Sequence, residues 1–174
     1  MLTDEQEVLS LKRRNLELQA ENEELKKENE ELKRNHDRAR GVPAEELVAQ
    51  MTGGKRTGRY KDLYDVETEN GKRIEVKLSK VGTQPSKRWV WDNIVGPKEY
   101  DYLVLAGEKD ERWLKRYPDL HYVFFLVPRD AVNDINSNGD CIALNTNFAT
   151  ARAPKARLLI DRYLVRSQEG FKNL

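Results

Sequence analysis

Leucine recurs every seven residues at Leu11, Leu18, Leu25 and Leu32, in a stretch of forty residues with no proline, glycine or aromatic side chain. A seven-residue apolar repeat without helix breakers specifies a helix whose narrow seam needs a partner helix. With leucine at heptad position d, Val8, Asn15, Asn22 and Asn29 fall at a. Lys12, Gln19, Lys26 and Lys33 then occupy e, and Arg14, Glu21, Glu28 and Asn35 occupy g. Leucine at d with asparagine at a specifies a parallel, in-register dimer at some cost in stability. The pairs Glu21–Lys26′ and Glu28–Lys33′ across that dimer are attractive. At about 1.5 Å per residue the rod would be roughly 50 Å long. A solvated single helix is the bland alternative. A leucine-zipper transcription factor is excluded, because such proteins carry a basic helix directly before the seam, and residues 1–7 are acidic.

The remainder has a different composition. Residues 1–40 hold 9 Lys/Arg against 11 Asp/Glu, whereas residues 41–174 hold 22 against 19 and all the aromatic, proline and glycine residues. This divides the chain into a dimerisation helix, 1–40, and a globular domain, 41–174. Several classes are excluded. No apolar run approaches the roughly 20 residues that span a bilayer. The charged start lacks a signal-peptide core, so a cytoplasmic, nucleoid-associated protein is expected. Cys141 is the single cysteine, and His36 and His121 are the only histidines, which rules out an intrachain disulfide and disfavours a Cys/His zinc site. With His36 in the charged helix, His121 is the only plausible catalytic histidine.

Gly41-Val42-Pro43 should end the rod, and Pro43 suits the first turn of a second helix with Ala44, Leu47, Val48 and Met51 inward and Gly53-Gly54 as its stop. A basic loop, Lys55 to Lys61, follows. Tyr64–Thr68 and Arg73–Leu78 then alternate polar and apolar residues around Glu69-Asn70-Gly71, the pattern of a β-hairpin. A three-residue loop with Gly71 left-handed pairs Thr68 with Lys72, Val66 with Ile74 and Asp65 with Glu75. That register keeps both faces uniform, with Tyr64, Val66, Ile74, Val76 and Leu78 apolar and Asp65, Glu67, Arg73, Glu75 and Lys77 polar. Two carboxylates about 5 Å apart at their β-carbons can share a hard divalent cation, and the neighbouring Lys77 can hold a water. Such equipment suits metal-assisted attack on a phosphodiester. A solvated hairpin face remains the plain alternative, since the Glu-x-Lys triplet also occurs twice in the rod.

Gln84–Val95 reads as a helix or loop-helix carrying Lys87, Arg88, Trp89 and Trp91. Tyr100–Ala106 and Tyr122–Val127 read as strands buried on both faces, which implies an α/β sheet. Cys141–Leu144 reads as a short strand, and Pro154–Ser167 as a basic helix.

The run from Glu45 to Val127 resembles the PD-(D/E)XK nuclease superfamily, the restriction-endonuclease-like fold. The match rests on the order of a Glu-bearing helix, an Asp strand, a Glu-x-Lys strand and buried strands. The resemblance implies a mixed β-sheet flanked by helices and a Mg²⁺ (or Mn²⁺) centre. It implies Asp65, Glu75 and the Val76 carbonyl as metal ligands, Lys77 as the residue positioning the nucleophilic water, and Glu45 as an accessory acid. Asp62 rivals Asp65, and Tyr64 stands where the family often has proline. The expectation is a homodimeric endonuclease cutting double-stranded DNA in restriction or homing fashion, leaving 5′-phosphate and 3′-hydroxyl ends. Lys55, Arg56, Arg59, Lys80 and Arg88 are candidate DNA contacts. The alternatives are a non-catalytic DNA-binding or assembly module, and a structure-selective nuclease for junctions or repair ends.

Overall fold

The computed structural model describes residues 4–57, 63–83, 87–96, 99–136, 139–172 and 174, with the side chains of 4–10 and 30–40 excepted. Two compact units emerge, Met1–Arg40 and Gly41–Leu174. One helix, α1 (Asp4–Thr52), supplies all of the first unit's described structure and the opening of the second. The expected stop at Gly41-Val42-Pro43 is thus replaced by helical backbone with Pro43 inside it. Proline removes one N–H from the ladder, but its fixed φ is already helical. The helix ends where the glycines predict. The Gly54 N–H reaches the Ala49 carbonyl at 2.9 Å and the Gly53 N–H that of Gln50 at 3.4 Å, the paired bonds of a Schellman motif.

In the first unit, residues 11–29 are exposed throughout. Leu11 is 65% exposed, Leu18 43% and Leu25 49%, so the described part of the leucine seam is exposed. Leu32 and His36 have side chains outside the described residues.

The second unit is α/β. Its main sheet has six strands: β1 (Lys55–Arg56), β2 (Val66–Glu67), β3 (Arg73–Ser79), β5 (Tyr102–Glu108), β6 (Tyr122–Pro128) and β8 (Leu164–Val165), in that spatial order. β3 and β5 run parallel and the other pairs antiparallel, so the sheet is mixed. Asp101 pins the parallel pair at its start. Its Oδ2 accepts the Arg73 N–H at 2.8 Å, and its own N–H reaches the Arg73 carbonyl at 2.8 Å. A separate antiparallel ribbon joins β4 (Arg88–Asp92) to β7 (Cys141–Asn145). The helices α2 (Val132–Ile135) and α3 (Pro154–Tyr163) complete the unit.

Two cores lie on the two faces of the main sheet. Val66, Ile74, Val76, Val104, Ala106 and Phe124 pack against Ala44, Val48 and Ala49 of α1. Leu103, Leu105, Val123, Phe125 and Val127 face the other way, against Trp89 and Trp91 of the ribbon and Leu159 and Ile160 of α3. The ribbon seats closely. A β-carbon added to Gly107 of β5 would stand 2.5 Å from the Trp89 ring, so only glycine lets that ring lie on the strand.

Three elements depart from expectation. Within Gln84–Val95, β4 replaces the expected helix, because the alternation of Arg88, Val90 and Asp92 outward with Trp89 and Trp91 inward has the period of a strand. Both tryptophans are core residues, each donating its indole N–H to a backbone carbonyl of β5. The basic helix stops at Tyr163 rather than Ser167, since Val165 pairs with Phe124 at the sheet edge. The segment from Asp130 to Asp140 is polar in sequence, yet Val132 and Ile135 form one apolar helical turn in it.

Candidate active site

The hairpin of β2 and β3 folds in the anticipated register. Val66 pairs with Ile74 and Glu67 with Arg73, and the Thr68 N–H reaches the Lys72 carbonyl at 2.9 Å. Gly71 has φ +74°, a left-handed conformation that side-chain-bearing residues adopt only at a cost.

The register shifts one residue before β2. The Asp65 N–H bonds the Ile74 carbonyl at 2.9 Å, so Asp65 and Val66 both oppose Ile74. Two residues against one is a β-bulge. It lies only on the β3 side, because the Thr57 N–H still meets the Asp65 carbonyl at 3.0 Å, in step with the β1–β2 pairs. The Thr57 hydroxyl adds a bond to the Tyr64 carbonyl at 2.8 Å. An extra residue reverses the alternation upstream of it. Tyr64, expected with Val66, therefore packs against the tryptophan core instead.

The bulge also changes how the carboxylates meet. Rather than standing opposite Glu75, Asp65 turns its carboxylate to the main chain of β3, where Oδ2 accepts the Val76 N–H at 2.8 Å. A side-chain oxygen thus takes the place of a strand carbonyl. Glu75 and Lys77 flank Val76 on the opposite face of β3, beside Leu103 and Leu105 of β5. Their polar face is not the solvated one of the plain alternative: it lies on the side of the sheet that carries the tryptophan core, and Glu75 is 2% exposed. The buried carboxylate is matched by the Lys77 ammonium at 3.0 Å, as a charge held away from water must be. Asp65, Glu75 and Lys77 thereby gather around a single residue, Val76.

Two residues that local patterning did not single out adjoin this group. The Tyr100 hydroxyl donates to the Ile94 carbonyl at 3.1 Å, and the Arg129 guanidinium lies 4.8 Å from the centre of the Tyr100 ring. Burial pushes the Tyr100 hydroxyl up, Arg129 offsets part of that, and the charges of Glu75 and Lys77 both act on it. Only the parallel pairing of β3 with β5 brings them near, and no short motif encodes that pairing.

The remaining candidates are spread more widely. Glu45, on α1, bonds Arg56 Nε at 2.9 Å, and Arg56 also meets Glu46 at 3.4 Å. Those contacts occupy both partners on the α1–β1 side rather than at Val76. Lys55 is exposed on β1, and Lys80 is exposed just past β3, with Glu108 at 4.0 Å. Arg88 is exposed on the ribbon. Arg59 and Asp62 lie outside the described residues. His121 stands exposed before β6, in a recess shared with Leu47, Met51 and Phe124 on the α1 face of the sheet.

The donors suit a hard cation. Among the described residues no group of three or more His, Cys, Asp or Glu side chains converges. Mg²⁺ typically binds through one or two carboxylates, retained waters and substrate phosphate rather than a full protein cage. Asp65, Glu75 and the Val76 carbonyl fit that habit. No helix among the described residues is long and apolar enough to cross a membrane.

No family model and no curated protein sequence matches the chain. Among solved structures it is similar to the bacterial homing endonuclease I-Ssp6803I, at 17% identity and a TM-score of 0.49, over 73% of this chain and 87% of that one.

Proposed function

We propose that this chain is a Mg²⁺-dependent endonuclease for double-stranded DNA, working as a homodimer joined through residues 1–40. The observation that carries the reading is the grouping of Asp65, Glu75 and Lys77 about Val76, with Asp65 tied to the Val76 N–H and Glu75 paired with Lys77. Asp65, Glu75 and the Val76 carbonyl would hold the ion, which when bound would polarise the scissile phosphate. Lys77 holds an ammonium where it can donate to an attacking water, and its pairing with Glu75 orients it. The bulge and the Thr57 bonds fix the backbone that presents the Asp65 carboxylate to the Val76 N–H. Lys55 and Lys80 are exposed cations for backbone phosphates, and Arg88 is a third exposed cation for the DNA.

A parallel dimer presents two such sites to the antiparallel strands of a duplex, which supports double-strand cutting of the restriction or homing type. The exposed leucine seam and the Glu21–Lys26′ complementarity support that dimer.

A second reading, a DNA-binding module that does not cut, draws on the closure of Glu75 on Lys77 at 3.0 Å. Incubation of the full chain with plasmid, nicked and branched DNA in Mg²⁺ or Mn²⁺ decides between them. Cleavage abolished by EDTA and by Lys77→Ala supports the nuclease. Cleavage that survives either treatment overturns the mechanism, and binding without cleavage of any substrate favours the module. Preference for branched over linear substrates would assign a junction or repair role.

A further inference from the structure

The ribbon of β4 and β7 has one face to spare. Its inner residues, Trp89 and Trp91 paired with Leu144 and Ile142, are fully buried. Its outer residues form three cross-strand pairs, Arg88 with Asn145, Val90 with Ala143 and Asp92 with Cys141. Arg88, Val90 and Asp92 are exposed, and the three β7 residues are half-buried. The Arg88 guanidinium makes no ion pair among the described residues. Asn145 is the better-fixed neighbour. Its Oδ1 accepts the Asn147 N–H at 2.8 Å, which sets the amide in one orientation with its NH₂ group as donor.

The ribbon is joined to the candidate active site. The Val90 N–H donates to Ser79 Oγ at 2.8 Å, and Ser79 lies two residues beyond Lys77 on the same strand. At the other end Ile94 accepts the Tyr100 hydroxyl, beside Glu75 and Lys77.

We propose that this outer face enters the major groove of the DNA substrate and reads base edges, with Arg88 and Asn145 as the polar readers and Val90 and Ala143 as apolar contacts. The proposal rests on the nuclease reading and adds to it the surface that selects sequence. The fit is dimensional and chemical. A B-form major groove is about 12 Å wide and admits a two-stranded ribbon. Alternate residues on a strand stand about 6.8 Å apart, close to two base-pair steps. A guanidinium matches the paired acceptors of guanine, an amide NH₂ donates to a base acceptor, and small apolar side chains suit a thymine methyl. Asp92, held by the Cys141 thiol, presents an acceptor that suits cytosine. Lys87, exposed where the ribbon begins, lies at the rim, where phosphates would pass.

The test is selection of bound sequences from a randomised duplex library by the full chain in EDTA, followed by cleavage of the winners in Mg²⁺. The wild type should enrich a defined motif. Arg88→Ala and Asn145→Ala should each flatten preference at one base-pair position by about tenfold or more, leaving the rest of the motif intact. Val90→Glu, which places a carboxylate on the exposed face, should abolish enrichment while the circular dichroism spectrum stays native. A motif that none of the three variants alters, or enrichment of no motif by the wild type, overturns the proposal. Failure of the nuclease reading looks different: a motif that the ribbon variants degrade, on DNA that is never cut.

Discussion

Asp65 Oδ2 accepts the Val76 N–H at 2.8 Å, so the carboxylate is fixed by the backbone of the strand that carries Glu75 and Lys77. The bond needs an acceptor and does not need the charge, which gives a clean separation. Asp65→Asn keeps an oxygen for the Val76 N–H and should change unfolding free energy by no more than about 1 kcal/mol. Asp65→Ala strands a buried donor and should cost roughly 1–3 kcal/mol. Both should lower cleavage at least a hundredfold. Urea unfolding alongside plasmid cleavage reads the two effects, and equal stability losses would show that the N–H has another acceptor.

Glu75 and Lys77 form a pair in which one member is nearly inaccessible and the other about one-fifth exposed. Removing the ammonium leaves the carboxylate uncompensated. Lys77→Met should destabilise the domain by about 2–4 kcal/mol, the exposure of Lys77 keeping the figure at the lower end of what a buried pair loses. Adding Glu75→Gln to it should recover most of that loss. A double-mutant cycle in urea measures the recovery, and additive losses would mean that the two side chains are not coupled.

The exposed seam on α1 makes an oligomeric prediction. Leu18→Cys in a Cys141→Ser background should give a disulfide-linked dimer under mild oxidation, because position d meets its own copy in a parallel register. Ala20→Cys, on the outer face of the helix two residues past Leu18, should cross-link far less. Sedimentation of the unmodified chain should show a dimer that weakens in high salt, as the g–e′ pairs are screened. A monomer at micromolar concentration would remove the dimer from the proposed function.

Asp101 makes stability depend on acid. The backbone N–H of Arg73, then its guanidinium, holds the Asp101 carboxyl below the usual aspartate range. A group whose folded pKa is depressed contributes stability above its unfolded value of about 3.9 and loses it as pH falls through the lower folded value. Asp101→Asn should therefore be less stable than the wild type near neutrality, with the gap closing below about pH 4. Thermal unfolding from neutral pH to pH 3 measures this. A gap that stays constant would show that the ionised form contributes nothing.

Much of the second unit could be read from local pattern, because each instance is a local rule. The Schellman stop at Gly53-Gly54, the Gly71 loop and the Val66–Ile74 register follow from turn chemistry and alternation. The buried runs at Tyr102–Glu108 and Tyr122–Pro128 follow from apolar density. What escaped notice was long-range. The Trp89/Trp91 alternation was legible, but over five residues it is too short to outweigh a helical reading of the longer Gln84–Val95 segment. Tyr100, with Arg129 over its ring, comes within the charge field of Glu75 and Lys77 only through sheet order, which no window of adjacent residues contains. The residue types at the site were legible, whereas its geometry was not: alternation places Asp65 opposite Glu75, and one extra residue redirects it to Val76.

That extra residue has a consequence for descent. Substitution is the usual route by which an acidic site is silenced, and it leaves a visible scar. Here deletion of the Val66 codon would put Asp65 in regular pairing opposite Ile74 and turn its carboxylate away from the Val76 N–H. The sheet, the leucine seam and every residue of the Glu75-Val76-Lys77 triplet would survive. Relatives could thus pass between active and silent forms by a change in length, one that a comparison of residue identities alone would miss.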